Sequence, residues 1–461
     1  TSRPKPRRRR RGGRGKGTPG NDSRARMRPP NSPTQGDGRG MMPPSGPDGK
    51  VSVAVIGGGV AGLSCARHLC DSGAFRCTVF DTGRLRAGGR CSSRIPGPPR
   101  DEGTPLARLG YPVDHAAQIL SVSDEEGDWA RQVAAWQEEG SVVAFPPGGV
   151  AEVSADGIIE VAAPAGTKMY RGSAEGGMGA IPLSLLRQAQ NLGAIIEQDV
   201  WVSPNGGVRR EVDGWTVKGK GRTKEKFDRL VVAHNGKCAD RLMSKTPAKG
   251  LHSLLRTDFR NKIPAHGGKR MTLNSIYSLT VLLETGGAEQ SAIAEALRST
   301  TRGDTAVADG IMSLFIKNHP SLRFVTCATR KYGQDDKDDR AEVWTVLSSP
   351  TFATKYKGPQ ENLPLETVQN VTNLLLRATE QSLGLDEGRI NPIDSRLQLW
   401  GAAVPLNVWT GKGDVDGFLY DHEFGAGCCG DWLVEPSIRG AWESGQRLAQ
   451  WMAKVEETGL G

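Results

Sequence analysis

A chain of 461 residues is too long for one small core, and 37% hydrophobic with 24% charged content is the balance of a soluble globular protein of two or three units, with two expected. The formal charge of +9 sits almost wholly in residues 1–50, where fourteen Lys or Arg face only Asp22, Asp37 and Asp48. The other residues hold 46 bases against 48 acids, which gives no reason to expect a nucleic-acid-binding face on the folded part. No run of eighteen apolar residues occurs, which excludes a membrane-spanning helix.

Residues 1–50, with Arg8 to Arg11 among Gly, Pro, Ser and Asn, lack apolar periodicity and should be disordered. Three readings stay open for them: an unstructured basic tail, a transit peptide for a plastid or other organelle, and a nucleic-acid-contacting arm. Without such a leader the expected compartment is the cytoplasm. Order begins at Val51–Ile56, a short β-branched run expected as a buried parallel strand. A helix is expected from Val60 to Leu69 and a second strand at Cys77–Phe80, which together make a βαβ unit. Helices follow at Trp129–Trp136 and 180–192, and strands at Ala194–Val202, Gly214–Lys218 and Leu230–Ala233. The strands Ile276–Leu283, Ile311–Ile316, Leu322–Ala328 and Val343–Leu347 suggest a mostly antiparallel sheet, followed by helices at Leu365–Leu383 and Ser437–Val455. Eight cysteines show no Cys-x-x-Cys pair and no Cys/His ligand spacing, so no metal site is expected and a reducing compartment is.

The turn between the first strand and helix reads Gly57-x-Gly59-x-x-Gly62. Its first glycine permits the tight turn, the second lets a diphosphate approach the backbone, and the third lets helix and strand pack; Val60 and Ala61 open the helix whose N-terminus favours negative charge. Asp81, ending the next strand, is placed to accept hydrogen bonds from the adenosine ribose hydroxyls. Nicotinamide and flavin dinucleotides share this fingerprint.

Arg86-Ala87-Gly88-Gly89-Arg90 then resembles the flavin-containing amine oxidase superfamily. The resemblance implies FAD as cofactor, with Arg86, Gly88 and Gly89 among the residues that contact it and Arg90 near the diphosphate. Val113-Asp114-His115-Ala116-Ala117-Gln118 resembles an Asp-x-Gly-Ala-Gln segment of renalase-like members, with alanine at 116 in place of the glycine. It implies Ala117 and Gln118 beside the flavin, the Gln118 amide at the ring edge. Cys429-Gly430-Asp431-Trp432 with Ser437-Ile438-Arg439-Gly440 is similar to the closing flavin motif, implying Gly430, Asp431 and the Ile438 backbone as further contacts. Val202 resembles a position whose main chain contacts adenine. The late loop Gln398 to Pro405 resembles an Arg-Trp-x-x-Ala-x-Pro segment, with Leu399 for the arginine and no cysteine beside the ring, which implies noncovalent FAD.

The expected fold class is α/β: a Rossmann-like FAD-binding domain with a parallel sheet, and a second, substrate domain on a mostly antiparallel sheet with helices. The FAD domain is expected from 51–120, 176–240 and 401–461, the substrate domain from 241–400, with 121–175 as an insertion or part of it. The implied function is oxidation of a small reduced substrate, an amine or a reduced nicotinamide, by hydride transfer to FAD with oxygen as acceptor. The alternative is an FAD-binding structural or regulatory protein without turnover. No catalytic residue is assigned, and Tyr420 and Trp432 are read equally as substrate walls or core.

Overall fold

Val51–Ile56 forms a strand, β1, buried along its whole length, which is why it shows no polar alternation. Val51, Val53 and Val55 enter one apolar core, and Ala54 and Ile56 a second on the other face of the sheet. The structure is a computed structural model that describes residues 48–95, 104–108, 110, 112–123, 127–154, 157, 159–161, 166–235, 237–259, 271–285, 291–301, 305–333, 341–360, 362–408 and 417–459. The expectations for the basic leader up to residue 47 lie outside the described residues.

After β1 come α1 (Val60–Asp71), β2 (Phe75–Phe80), the short strands β3 (Ser93–Arg94) and β4 (Val113–Asp114), α2 (Gly127–Glu138), β5 (Val150–Val153), α3 (Ala180–Asn191), β6 (Ile195–Glu197) and β7 (Arg229–Val232). The chain continues through β8 (Thr272–Glu284), β9 (Ser313–Ile316), β10 (Leu322–Cys327), the single turn α4 (Ala328–Tyr332), β11 (Ala341–Ser348) and α5 (Leu365–Ser382). It closes with β12 (Asp394–Pro405), β13 (Leu419–Asp421), β14 (Ala426–Cys428) and α6 (Ile438–Thr458). The strand expected over 194–202 is only three residues long, and the chain turns at Asp199, whose φ is +55°. The segment expected as a late loop is the long strand β12.

One sheet has the order β6-β2-β1-β7-β14-β13, parallel throughout except for the β13–β14 hairpin. The last strands of the chain thus lie beside the first. α1 packs closely on α6: a Cβ at Gly445 would lie 2.3 Å from the Ala61 carbonyl, and Ser64 Oγ donates to the Trp442 carbonyl at 2.8 Å. Trp129 of α2 sets its ring against Trp442, so the segment after β4 also contributes to this core. The second sheet joins β8 to β12 on one side and to β11, β10, β9 and β5 on the other, antiparallel except for β9–β5 and for the parallel pairing of Asp258 and Phe259 with the start of β8. Tyr277, Leu279 and Val281 of β8 alternate into an apolar core completed by Trp344 and by Val371 and Leu375 of α5.

The α1–α6 contact contains a titratable group. His68 donates from Nδ1 to the Ser64 carbonyl at 2.8 Å and sets its ring edge-on to Trp442. Desolvation lowers its pKa from 6.5 to about 4, with the Ser64 bond opposing. Between these values the unfolded chain binds the proton that the folded chain refuses, so this contribution is complete above pH 6.5 and is lost as pH falls toward 4. After discounting for partial exposure, His68→Gln should remove about 1–2 kcal/mol of the acid-side loss between pH 7.5 and 5. Urea titrations of both proteins at the two pH values measure it, and parallel losses would exclude the assignment.

Candidate functional site

The glycine turn faces the carboxyl ends of the parallel strands. Gly57 has φ +118°, and its N–H donates to the Phe80 carbonyl at 2.9 Å, tying the turn to the end of β2. Gly62 has no room for a side chain, because a Cβ there would lie 2.0 Å from the Gly57 carbonyl oxygen and 3.0 Å from Ala233 Cβ. Gly59 differs. It has φ −78° and ψ 177°, open to any residue, and a Cβ on it meets no protein atom within 4 Å. α1 begins there with no side-chain cap, so the amides of Val60, Ala61 and Gly62 open the helix at its positive end.

Asp81 is buried and braces the turn: Oδ2 accepts from the Gly58 N–H and Oδ1 from the Gly83 N–H, both at 2.8 Å. Each oxygen keeps a lone pair. The Val200 N–H bonds the Asp81 carbonyl and the Asp199 N–H the Gly83 carbonyl, which brings the stretch leading to Val202 beside this loop; Val202 itself is buried in the same core as Ile56 and Phe80.

The arginine–glycine loop doubles back over the turn. The Gly88 N–H donates to the Gly58 carbonyl at 2.8 Å, and Gly59 and Gly88 form a parallel bridge. Arg86 and Gly89 are exposed. Arg90 reaches the other end of the sequence: Nη1 and Nη2 donate to Asp431 Oδ2 and Oδ1 at 2.7 and 2.8 Å, and Nη1 also donates to the Ala403 carbonyl at 2.8 Å. This bidentate pair joins positions 341 residues apart, and three of the five guanidinium N–H groups are used. Cys429 and Gly430 lead from the end of β14 to Asp431. Gly430 donates to Ser444 Oγ at 2.9 Å, and Ser437 caps α6 by accepting from the Gly440 N–H at 2.9 Å, leaving Ile438 in its first turn.

The Ala117 N–H donates to the Arg90 carbonyl at 3.1 Å, which seats the 113–118 segment against the same loop. The Gln118 amide is engaged within the protein. Its Nε2 donates to the Asp114 carbonyl at 3.0 Å, and its Oε1 accepts from Lys331 Nζ at 3.2 Å. The reason is a buried polar cluster. Asp114 accepts from Lys331 Nζ at 2.7 Å, Tyr332 Oη at 2.5 Å, Ser93 Oγ at 2.6 Å and the Met178 N–H at 2.9 Å. Burial pulls the Lys331 ammonium below the usual lysine range against the opposing pull of Asp114, and burial with Asp114 pushes the Tyr332 phenol up. Lys331 and Tyr332 come from α4 of the second sheet, so the cluster fastens the two halves together. No sequence pattern marks them, because their partner lies more than two hundred residues away. Tyr420 and Trp432 are buried core residues.

Residues 55–136 match the sequence model of the NAD(P)-binding Rossmann-like domain. Among solved structures, a triple mutant of putrescine oxidase shares 12% identity, with 87% of this chain and 98% of that chain covered and a TM-score of 0.51. An oxidoreductase from Methanosarcina mazei shares 11% over 87% and 100% of the two chains with a TM-score of 0.51. Cyclohexylamine oxidase from Brevibacterium oxydans IH-35A shares 11% over 88% and 100% with a TM-score of 0.50. The chain thus shares the fold of these oxidases, and the expected pairing of a Rossmann-like unit with a second, mostly antiparallel one is borne out.

Proposed function

We propose, from the premise that this chain has the amine oxidase fold, that it is an FAD-dependent oxidoreductase that oxidises a small reduced substrate, an amine or a reduced nicotinamide, and passes the electrons to oxygen. The observation that carries the reading is Gly59, where neither backbone conformation nor packing demands a glycine and the space a Cβ would enter is empty of protein atoms. A diphosphate passing that point explains the residue. Val60, Ala61 and Gly62 then offer helix-end amides to its charge, and Arg90 has two further N–H donors for it. Asp81 holds lone pairs that would accept from ribose hydroxyls, Asp431 orients Arg90, and the backbone N–H groups in the first turn of α6 would stabilise negative charge on a reduced flavin. Bound there, FAD supplies the two-electron acceptor for a hydride, which calls for no nucleophile from the protein. β12 carries no cysteine, so the cofactor is held without a covalent bond.

The test is anaerobic titration of the purified yellow protein with a panel of amines and reduced nicotinamides. Bleaching by one class is expected, and acid precipitation should leave all the yellow colour in the supernatant. A flavin spectrum that no donor bleaches would favour a cofactor-binding protein without turnover, and colour retained on the denatured chain would overturn noncovalent binding.

A further inference from the structure

The parallel sheet is built outward in both directions from β1, with β2 and β6 on one side and β7 and β14 on the other. The crevice between the carboxyl ends of β1 and β7 is therefore its switch point, where sheets of this kind receive ligands. The glycine turn forms one bank of that crevice. The end of β7 forms the other: the Ala233 N–H donates to the Ile56 carbonyl at 2.9 Å, and the chain then runs through His234 and Asn235. A Cβ on Gly57 would lie 3.1 Å from the Ala233 carbonyl and 3.4 Å from His234 Cδ2, so the imidazole rests against the first residue of the turn.

Leu230, Val231 and Val232, which precede this pair, are wholly buried and apolar. His234 is half-buried and has no hydrogen-bond partner among the described residues. Asn235 Nδ2 is buried without an acceptor. Buried polar groups are ordinarily bonded, and two consecutive exceptions at the mouth of a ligand crevice call for a partner that enters it.

The charges around the ring are already matched or remote. Asp81 faces it from the end of β2, held by two backbone amides, and the glycine turn brings no side chain. Arg90 is paired with Asp431, Arg84 with Asp199, and Arg86 is exposed to solvent. Desolvation lowers the His234 pKa below its ordinary value, with Asp81 opposing, so the ring is neutral at pH 7 and above. A diphosphate brings negative charge to this place, and a neutral imidazole can answer it by taking a proton from solvent.

We propose that His234, with Asn235 beside it, is a contact of the diphosphate half of the cofactor and that its ring takes up a proton from solvent as the dinucleotide binds. The assignment rests on the FAD reading and adds a regulation to it: the cofactor is held more tightly as pH falls. With the ring neutral in the empty site and charged in the filled one, affinity is constant at high pH. It strengthens as pH falls through the raised value in the complex and levels off below the lowered value of the empty site.

The test is equilibrium titration of the cofactor-stripped, full-length protein with FAD, read by flavin fluorescence. Binding is expected to be about 10-fold tighter at pH 6 than at pH 8.5, the equivalent of about one unit of pKa separation. Calorimetry in two buffers of different ionisation enthalpy should show proton uptake at neutral pH. In His234→Gln the pH dependence and the uptake should both fall away, leaving the affinity at its high-pH level. His234→Lys carries a fixed charge and should bind as tightly at pH 8.5 as at pH 6. Circular dichroism establishes that each variant is folded, and the lysine variant decides the matter where glutamine disturbs the strand end. Equal proton uptake by wild type and His234→Gln, or a lysine variant that still tightens on acidification, overturns the proposal and leaves the cofactor site in place. A protein that takes up no FAD at any pH overturns the function above and this assignment with it.

Discussion

Gly59→Val gives a folded but colourless protein, and Gly62→Val gives no stable protein at all: these opposite outcomes are expected from two glycines three residues apart. At Gly59 the backbone lies in the extended region and the new side chain meets no protein atom, so the cost is that of exchanging a glycine for a poor helix cap, about 1 kcal/mol. The same side chain fills the path assigned to the diphosphate, and FAD affinity should fall by at least ~100-fold, equivalent to about 2.7 kcal/mol. At Gly62 the added atom lies 2.0 Å from a backbone oxygen that belongs to the turn itself, and neither can move without separating α1 from β1. Overpacking of this kind costs more than about 3 kcal/mol, a large share of the ~5–15 kcal/mol that holds a domain folded. Circular dichroism and the flavin absorbance of freshly purified protein read both outcomes. Full FAD occupancy in folded Gly59→Val would remove the main support for the cofactor site.

The parallel half was legible because its demands are local. A strand buried on both faces has to be a continuous apolar run, and β1 is one; the turn after it needs a glycine at Gly57 for φ and at Gly62 for space, and both needs fall within six residues. The ends of the chain were harder, since the pairing of Arg90 with Asp431 has no local signature and only the family resemblance drew attention to both. The second sheet was visible as strands, but the polar face it turns away from its apolar core was not. Alternation in β8 shows hydroxyls at Ser278 and Thr280, yet only the register with β12 and β11 sets Thr280 between Arg396 and Thr345. β12 itself was missed as a strand because Gly401 and a charged start at Asp394 and Arg396 resemble a loop. Lys331 was overlooked because the partners that hold it, Asp114 and Gln118, are distant in sequence.

Lys331→Met should be among the most destabilising changes in the chain, at about 3–5 kcal/mol in urea unfolding, although methionine fills a similar volume. Lys331 and Asp114 are both almost fully buried, and the ammonium supplies the charge that compensates the carboxylate. With lysine gone, Asp114 keeps its bonds from Ser93, Tyr332 and the Met178 N–H but remains a buried anion without a cation beside it. The double variant Asp114→Asn with Lys331→Met removes both charges, and most of the lost stability is expected to return, because two neutral groups of similar shape avoid the desolvation cost of an unpaired ion. A purely steric role for the lysine predicts the reverse, with the double variant no better than the single. The cluster also fixes where the two halves of the molecule meet: Lys331 and Tyr332 hang from the end of β10, and Asp114 leads directly into the segment whose Ala117 N–H holds the Arg90 loop. Loss of the ammonium should therefore speed amide exchange at Ala117 more than within β1, and equal protection at the two sites would mean that the ion pair stabilises the fold without positioning this segment.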